Sequence, residues 1–247
     1  MKANNSMQHQ TESATANHSN GRDYLLGGLL IFDALLSIVP VVILGAAIGW
    51  PASLGKPAAE QLSAIYANAG AVTLGYGIYL LYSILIAPVM IGLTRRVFGG
   101  LNHALPAIVV AFAVLSTLAR TIGILRWLTV MPALAALHAT ADPSKREQIE
   151  LVFLAITTYG GGIGEILGVS LFMAISVATL CVGSLLRGGM PSWLAYSGLA
   201  SAGLIGALAV PTFGLPSLVP VAVAVSILST WMLAVGIWCF WPSNKHR

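Results

Sequence analysis

Charge is what this sequence has least of. Only 8% of its 247 residues are Asp, Glu, Lys or Arg, while 57% are hydrophobic, against a charged share of about 25% in ordinary soluble domains. A water-soluble fold of this length needs many more ionised side chains to cover its surface, so much of the exterior must face hydrocarbon. Runs of Lys and Arg are missing as well. The formal net charge of +4 is dispersed, with Arg95-Arg96 and Lys145-Arg146 as its densest points, and no groove that tracks phosphates can be built from that. Nucleic acid is excluded as a partner. Cysteine is confined to Cys181 and Cys239, each inside an apolar stretch. They read as small buried hydrophobes, not as a disulfide or a metal site. No Gly-x-Ser-x-Gly or His-Glu-x-x-His pattern occurs, so hydrolase and metalloprotease chemistry have no visible apparatus. Catalytic residues, metal and cofactor are therefore expected to be none.

What is present is long apolar runs. A helix needs about 20 apolar residues to cross the hydrocarbon, and six stretches qualify: 24–49, 69–93, 104–127, 160–186, 193–213 and 219–241. The expected fold is all-α, a polytopic transmembrane bundle of six spans. Met1 to Asn20 are polar and without an apolar segment, so 1–22 is expected as a disordered tail, followed by an uncleaved first span. Residues 242–247 form a short C-terminal tail. Six spans put both termini on one side. Lys2, Arg22, Arg95, Arg96, Arg187, Lys245 and Arg247 fall on that side, against Lys56, Lys145 and Arg146 on the other. Positive residues stay cytoplasmic, so both termini are expected in the cytoplasm. The connection 128–159 reads as a periplasmic helical hairpin, with Pro132 breaking the first helix and Asp142-Pro143 as N-cap and first residue of the second. The alternative places Leu151–Tyr159 within the membrane and breaks the span at Gly160-Gly161-Gly162.

The stretch Gly164-Glu165-Ile166-Leu167-Gly168, then Leu185-Leu186-Arg187, then Pro191-Ser192-Trp193-Leu194 with Gly198 following, resembles a bacterial family of integral membrane proteins known as domain of unknown function 4386. The resemblance extends from Asp23 to Trp241 and includes Arg120 inside the third span. It implies a helical membrane fold and a bacterial setting, hence a multi-pass protein of the inner membrane. No functional residue is carried over from it.

Charges in hydrocarbon are the remaining leads, each costing about 2.5–3.5 kcal/mol at a helix centre. At 1.5 Å per residue, Arg120 lies about 24 Å and Arg126 about 33 Å from the cytoplasmic end of span three, with Glu165 about 32 Å up span four. A polar cluster of Glu165 with Arg120 or Arg126 follows. It is either a structural ion pair or a site for an anionic ligand or lipid headgroup with Arg120 as the free cation. Arg126, beside Trp127, reads as snorkelling to the interface. Gly160, Gly164 and Gly168 form a smooth face for close helix approach, with Glu165 flanking it. Asp33 lies about 14 Å into span one with no cation evident at its depth. It is a possible protonation site, with Tyr76, Tyr79 and Tyr82 spaced to offer it hydroxyls. His103 and His138 fall on opposite sides, which argues against a shared metal or haem.

Three functions remain. A non-enzymatic membrane protein would bind a lipid, a small hydrophobic molecule or a partner protein, the partners being membrane lipids, a second copy or another membrane protein. A small proton-linked transporter would use Asp33 or the Arg/Glu cluster. An intramembrane enzyme acting on a lipid or quinone would use Glu165 as acid or base.

Overall fold

A computed structural model describes residues 23–241; the tails at 1–22 and 242–247, with the charges assigned to them above, lie outside the described residues. The helices are α1 (Asp23–Ile48), α2 (Ala58–Ala67), α3 (Ala69–Phe98), α4 (Ala104–Leu128), α5 (Val130–Thr140), α6 (Pro143–Arg187), α7 (Ser192–Gly206, continued by a 3-10 stretch Ala207–Phe213) and α8 (Val221–Cys239). There is no strand among the described residues. Six helical segments are long and apolar enough to cross a membrane: α1, α3, α4 running on into α5, α6, α7 with its 3-10 end, and α8. Their outer faces carry exposed Leu25, Val42, Leu118 and Ile122, which only a lipid solvent tolerates in such density. The protein is a multi-pass membrane protein.

Local chemistry explains the ends and breaks. Pro40 has no N–H for the carbonyl of Leu36, and α1 loosens into a turn at Ser37. The Ser37 hydroxyl donates to the Ala34 carbonyl (2.7 Å) and meets that of Ser229 (3.1 Å), tying the bend to α8. Pro132 acts likewise on Leu128, so α4 stops there and α5 restarts at Val130. Asp142 accepts from the Lys145 amide at 3.0 Å, with Pro143 as the first helical residue of α6. The Lys145 side chain and amide, with the Ser144 hydroxyl, hold the Asp142 carboxyl below its ordinary range. Gly99 and Gly188 (φ 74° each) end α3 and α6 in the left-handed region that a side chain disfavours.

One end of the bundle is basic. Arg96 pairs with Asp23, donates to the Trp241 carbonyl at 3.2 Å and lies 4.5 Å from the centroid of the Trp238 ring. The start of α1 and the ends of α3 and α8 thus meet there, beside Arg95 and Arg187. The other end differs. The 45 residues of α6 span about 68 Å, against about 40–45 Å for a bilayer with its headgroups. Its first half therefore projects and packs with α2 and α5 into a distal cap. Leu62, Ile65, Met131, Ala135 and Phe153 form the cap's core, joined to the spans through Leu44, Tyr76 and Trp127. A second core, from Leu30 and Val89 to Trp231 and Val235, fills the bundle.

Candidate functional site

The seam between α4 and α6 builds the site. Gly160, Gly164 and Gly168 turn one glycine face of α6 onto α4. A methyl added at Gly123 would lie 2.6 Å from Cα of Gly164, so the two backbones touch. On either side of that crossing the missing side chains leave room for an arginine. An added methyl would meet Cδ of Arg126 at 2.6 Å at Gly160, and Cγ of Arg120 at 2.9 Å at Gly168. Ser116 donates to the Gly168 carbonyl at 2.7 Å and locks the register. Within the seam α6 is wound as a π-helix over Gly162–Phe172. Such wide turns are rare and frequently sit at functional sites. The triple glycine thus leads into a π segment without interrupting the helix.

The structure brings Glu165 to Arg126: Nη2 lies 3.9 Å from Oε1, an ion pair without a hydrogen bond. Arg126 Nη1 donates to the Gly123 carbonyl at 2.8 Å. Arg120 turns the other way, and its Nη1 donates to the Tyr82 hydroxyl at 3.3 Å. Helix direction accounts for the difference, because side chains lean toward the N-terminus of their own helix. That is the basic end for α4 and the distal end for α6, so Glu165 leans toward Arg126 while Arg120 leans away from it.

Three expectations need correction. Arg126 does not snorkel: it is 8% exposed, because α5 continues α4 and the projecting half of α6 covers the place where an interface was expected. Asp33 does have a cation near it, since the lean of Arg120 toward the basic end brings its charge to act on the carboxylate. The tyrosines do not serve Asp33. Its side chain is 0% exposed, and neither carboxylate oxygen has a hydrogen-bond partner among the described residues. Tyr82 serves Arg120, Tyr76 stacks on Trp127 (centroids 4.7 Å apart, planes at 4°), and Tyr79 lies edge-on to Trp50 at 6.1 Å. The sequence reading missed Tyr76 and Trp127 as a unit. Spacing alone does not reveal them, because they stand on different helices.

Several of these side chains line a cavity of about 240 Å³ walled by α1, the loop at Trp50, Pro51 and Leu54, α3, α4, the π segment of α6, the 3-10 end of α7 and α8. Tyr76, Tyr79, Arg120, Arg126 and Glu165 form its polar side, and Val41, Leu208, Val221 and Val225 its apolar side. A larger groove of about 430 Å³ runs beside α2, but its charged groups face each other and its one amide side chain is engaged. Lys56 pairs with Glu60 at 3.7 Å, and Gln61 donates to the Lys56 carbonyl at 2.7 Å. His138 is held by Glu150 at 2.9 Å inside the cap, at the opposite end from His103, which precedes α4. Among the described residues no three of His, Cys, Asp and Glu converge as a metal site would require.

A family model described as a domain of unknown function (DUF4386) matches residues 25–240. No curated protein and no solved structure matches the chain.

Proposed function

The chain belongs to the DUF4386 family, whose description assigns no activity, and from that premise we propose that it is a non-enzymatic membrane protein that binds a small hydrophobic or amphipathic molecule inside its bundle. The observation that carries this reading is the cavity, with apolar residues on one side and Arg120, Arg126, Glu165 and two tyrosines on the other. Ligand sites are typically concave, mostly apolar and furnished with a few convergent polar groups. A catalytic reading has less support. Among the described residues Glu165 is the one carboxyl on the cavity wall, and the tyrosines there, Tyr76 and Tyr79, are packed against Trp127 and Trp50 and not paired with it as acid or base. The positive-inside rule turns the basic end, with Arg95, Arg96 and Arg187, toward the cytoplasm, and the inner membrane of a bacterium is the proposed setting. The cap is then periplasmic.

Filling the cavity tests the reading. Val225→Trp is expected to leave the protein monodisperse and to remove an apolar molecule that co-purifies with the unmodified chain in native mass spectrometry. Identical bound molecules in both forms would place the ligand elsewhere.

A second reading, a proton-linked transporter, draws on Asp33. A buried carboxyl with both oxygens unpartnered among the described residues is costly to keep in a membrane and by default points to function. In reconstituted vesicles Asp33→Asn is then expected to abolish pH-dependent solute flux at normal expression. Undiminished flux in that variant removes the reading.

A further inference from the structure

The polar side of the cavity is unbalanced in a way that specifies a ligand. Arg120 is 3% exposed and Arg126 8%, and Nε of each has no hydrogen-bond partner among the described residues. The buried Tyr76 hydroxyl has none either. An arginine Nε is only a donor, and a tyrosine hydroxyl donates readily. Leaving a buried donor unmet is costly, and more so when it is charged. The residues that carry these three donors line one cavity, with the orphaned atoms themselves just behind its surface, which leaves that side short of acceptors. The carboxylate that lines the same cavity does not supply them. Glu165 stands 3.9 Å from Arg126 with its side chain 54% exposed, too far for a hydrogen bond. Asp33 acts on Arg120 from outside the cavity wall and accepts no hydrogen bond from it.

We infer that the cavity takes a molecule with an oxyanion head and an apolar tail, the head bound by Arg126 and Tyr76, and that Glu165 is the side chain this head displaces from Arg126. The inference rests on the reading of the cavity as a binding site and names the ligand's chemistry. A phosphate or carboxylate offers several acceptor sites in the plane of a guanidinium and forms bonds of about 2.7–2.9 Å to it. Exchanging the loose Glu165 contact for such bonds keeps Arg126 neutralised throughout, so no uncompensated buried charge appears. The tail leaves between Val41, Val221 and Val225, of which Val41 and Val221 are exposed on the outer face. The cavity's 240 Å³ is smaller than the 300–1,000 Å³ or so of ordinary ligand pockets, which favours a compact head with a single chain.

Binding of dodecyl phosphate, dodecanol and inorganic phosphate to the full chain in phosphatidylcholine nanodiscs tests this without any mutation. Dodecyl phosphate is expected to bind at least about tenfold more tightly than either of the others. Equal binding of dodecyl phosphate and dodecanol overturns the oxyanion head while leaving the cavity as a binding site. Binding of none of the three overturns the cavity reading itself. Inorganic phosphate as tight as dodecyl phosphate overturns the tail and identifies a free anion as the ligand. Glu165→Gln then tests the displacement. It is expected to raise dodecyl phosphate affinity about threefold or more, as a competing anion is removed, with dodecanol unchanged. A loss of affinity in that variant means that Glu165 supports the head and does not yield to it. Arg126→Gln is expected to weaken dodecyl phosphate selectively, and equal weakening of dodecanol would make its role one of packing.

Discussion

Gly123→Leu is expected to prevent the bundle from assembling. A side chain there starts with Cβ 2.6 Å from Cα of Gly164 and 3.1 Å from the Gly160 carbonyl, and both neighbours are backbone that cannot rotate aside. Overpacking a closed core costs about 1–3 kcal/mol where side chains can shift, and here the whole of α6 would have to move. With α6 would go the pocket for Arg120, the lock at Ser116 and the Arg126–Glu165 pair. Membrane helices associate largely through such close packing, so the expected result is loss of monodisperse protein in detergent. Gly77→Ala is the control. Nothing lies within 4 Å of a methyl there, and alanine is the better helix former by about 1 kcal/mol. That variant is expected to purify as the unmodified chain does. If both variants purify alike, the α4–α6 crossing is not as close as described.

Trp127→Ala is the second large effect. The indole stacks on Tyr76 and meets Phe153 edge-on at 6.4 Å, joining a span of the bundle to the projecting half of α6. Truncating a buried tryptophan costs about 3–5 kcal/mol, and aromatic pairs add about 0.5–1.5 kcal/mol each beyond area. The loss should be local. Hydrogen exchange is expected to quicken in α2, α5 and the start of α6, while α7 and α8 keep their protection. Uniform loss of protection would mean that cap and bundle form one cooperative unit.

The spans were legible because hydropathy responds to the solvent, and hydrocarbon selects against charge residue by residue. Prolines were equally legible: the missing N–H of Pro132 sets the break between α4 and α5 whatever surrounds it. The length of α6 was harder to read. Asp142-Pro143 marked where its first half starts, but not that this half runs unbroken through Gly160-Gly161-Gly162 into the span. The π winding leaves no periodic mark in an apolar run. In the site, counting rise per residue put Glu165 and Arg126 at one level, since axial distance follows from sequence position. It misjudged Asp33, because it placed backbone atoms and ignored the lean of a long side chain down its helix. Arg126 was misread for another reason. Whether a residue near a span's end is wet depends on what stands beside it, and that is tertiary information.

The order in which the chain is made has a bearing on the cavity. Every residue in the core of the cap, from Leu44 to Phe153, precedes the last two spans, so that core can close while the C-terminal third is still unsynthesised. The cavity cannot: its wall at Val221, Ala222, Val225 and Ser226 belongs to α8, which leaves the ribosome after every other described helix. Domains generally fold from the N-terminus as they emerge. Arg120 and Arg126 therefore sit beside an unfinished, lipid-open cleft until α8 arrives, and a chain ending after α7 would keep the cap yet never enclose the chamber.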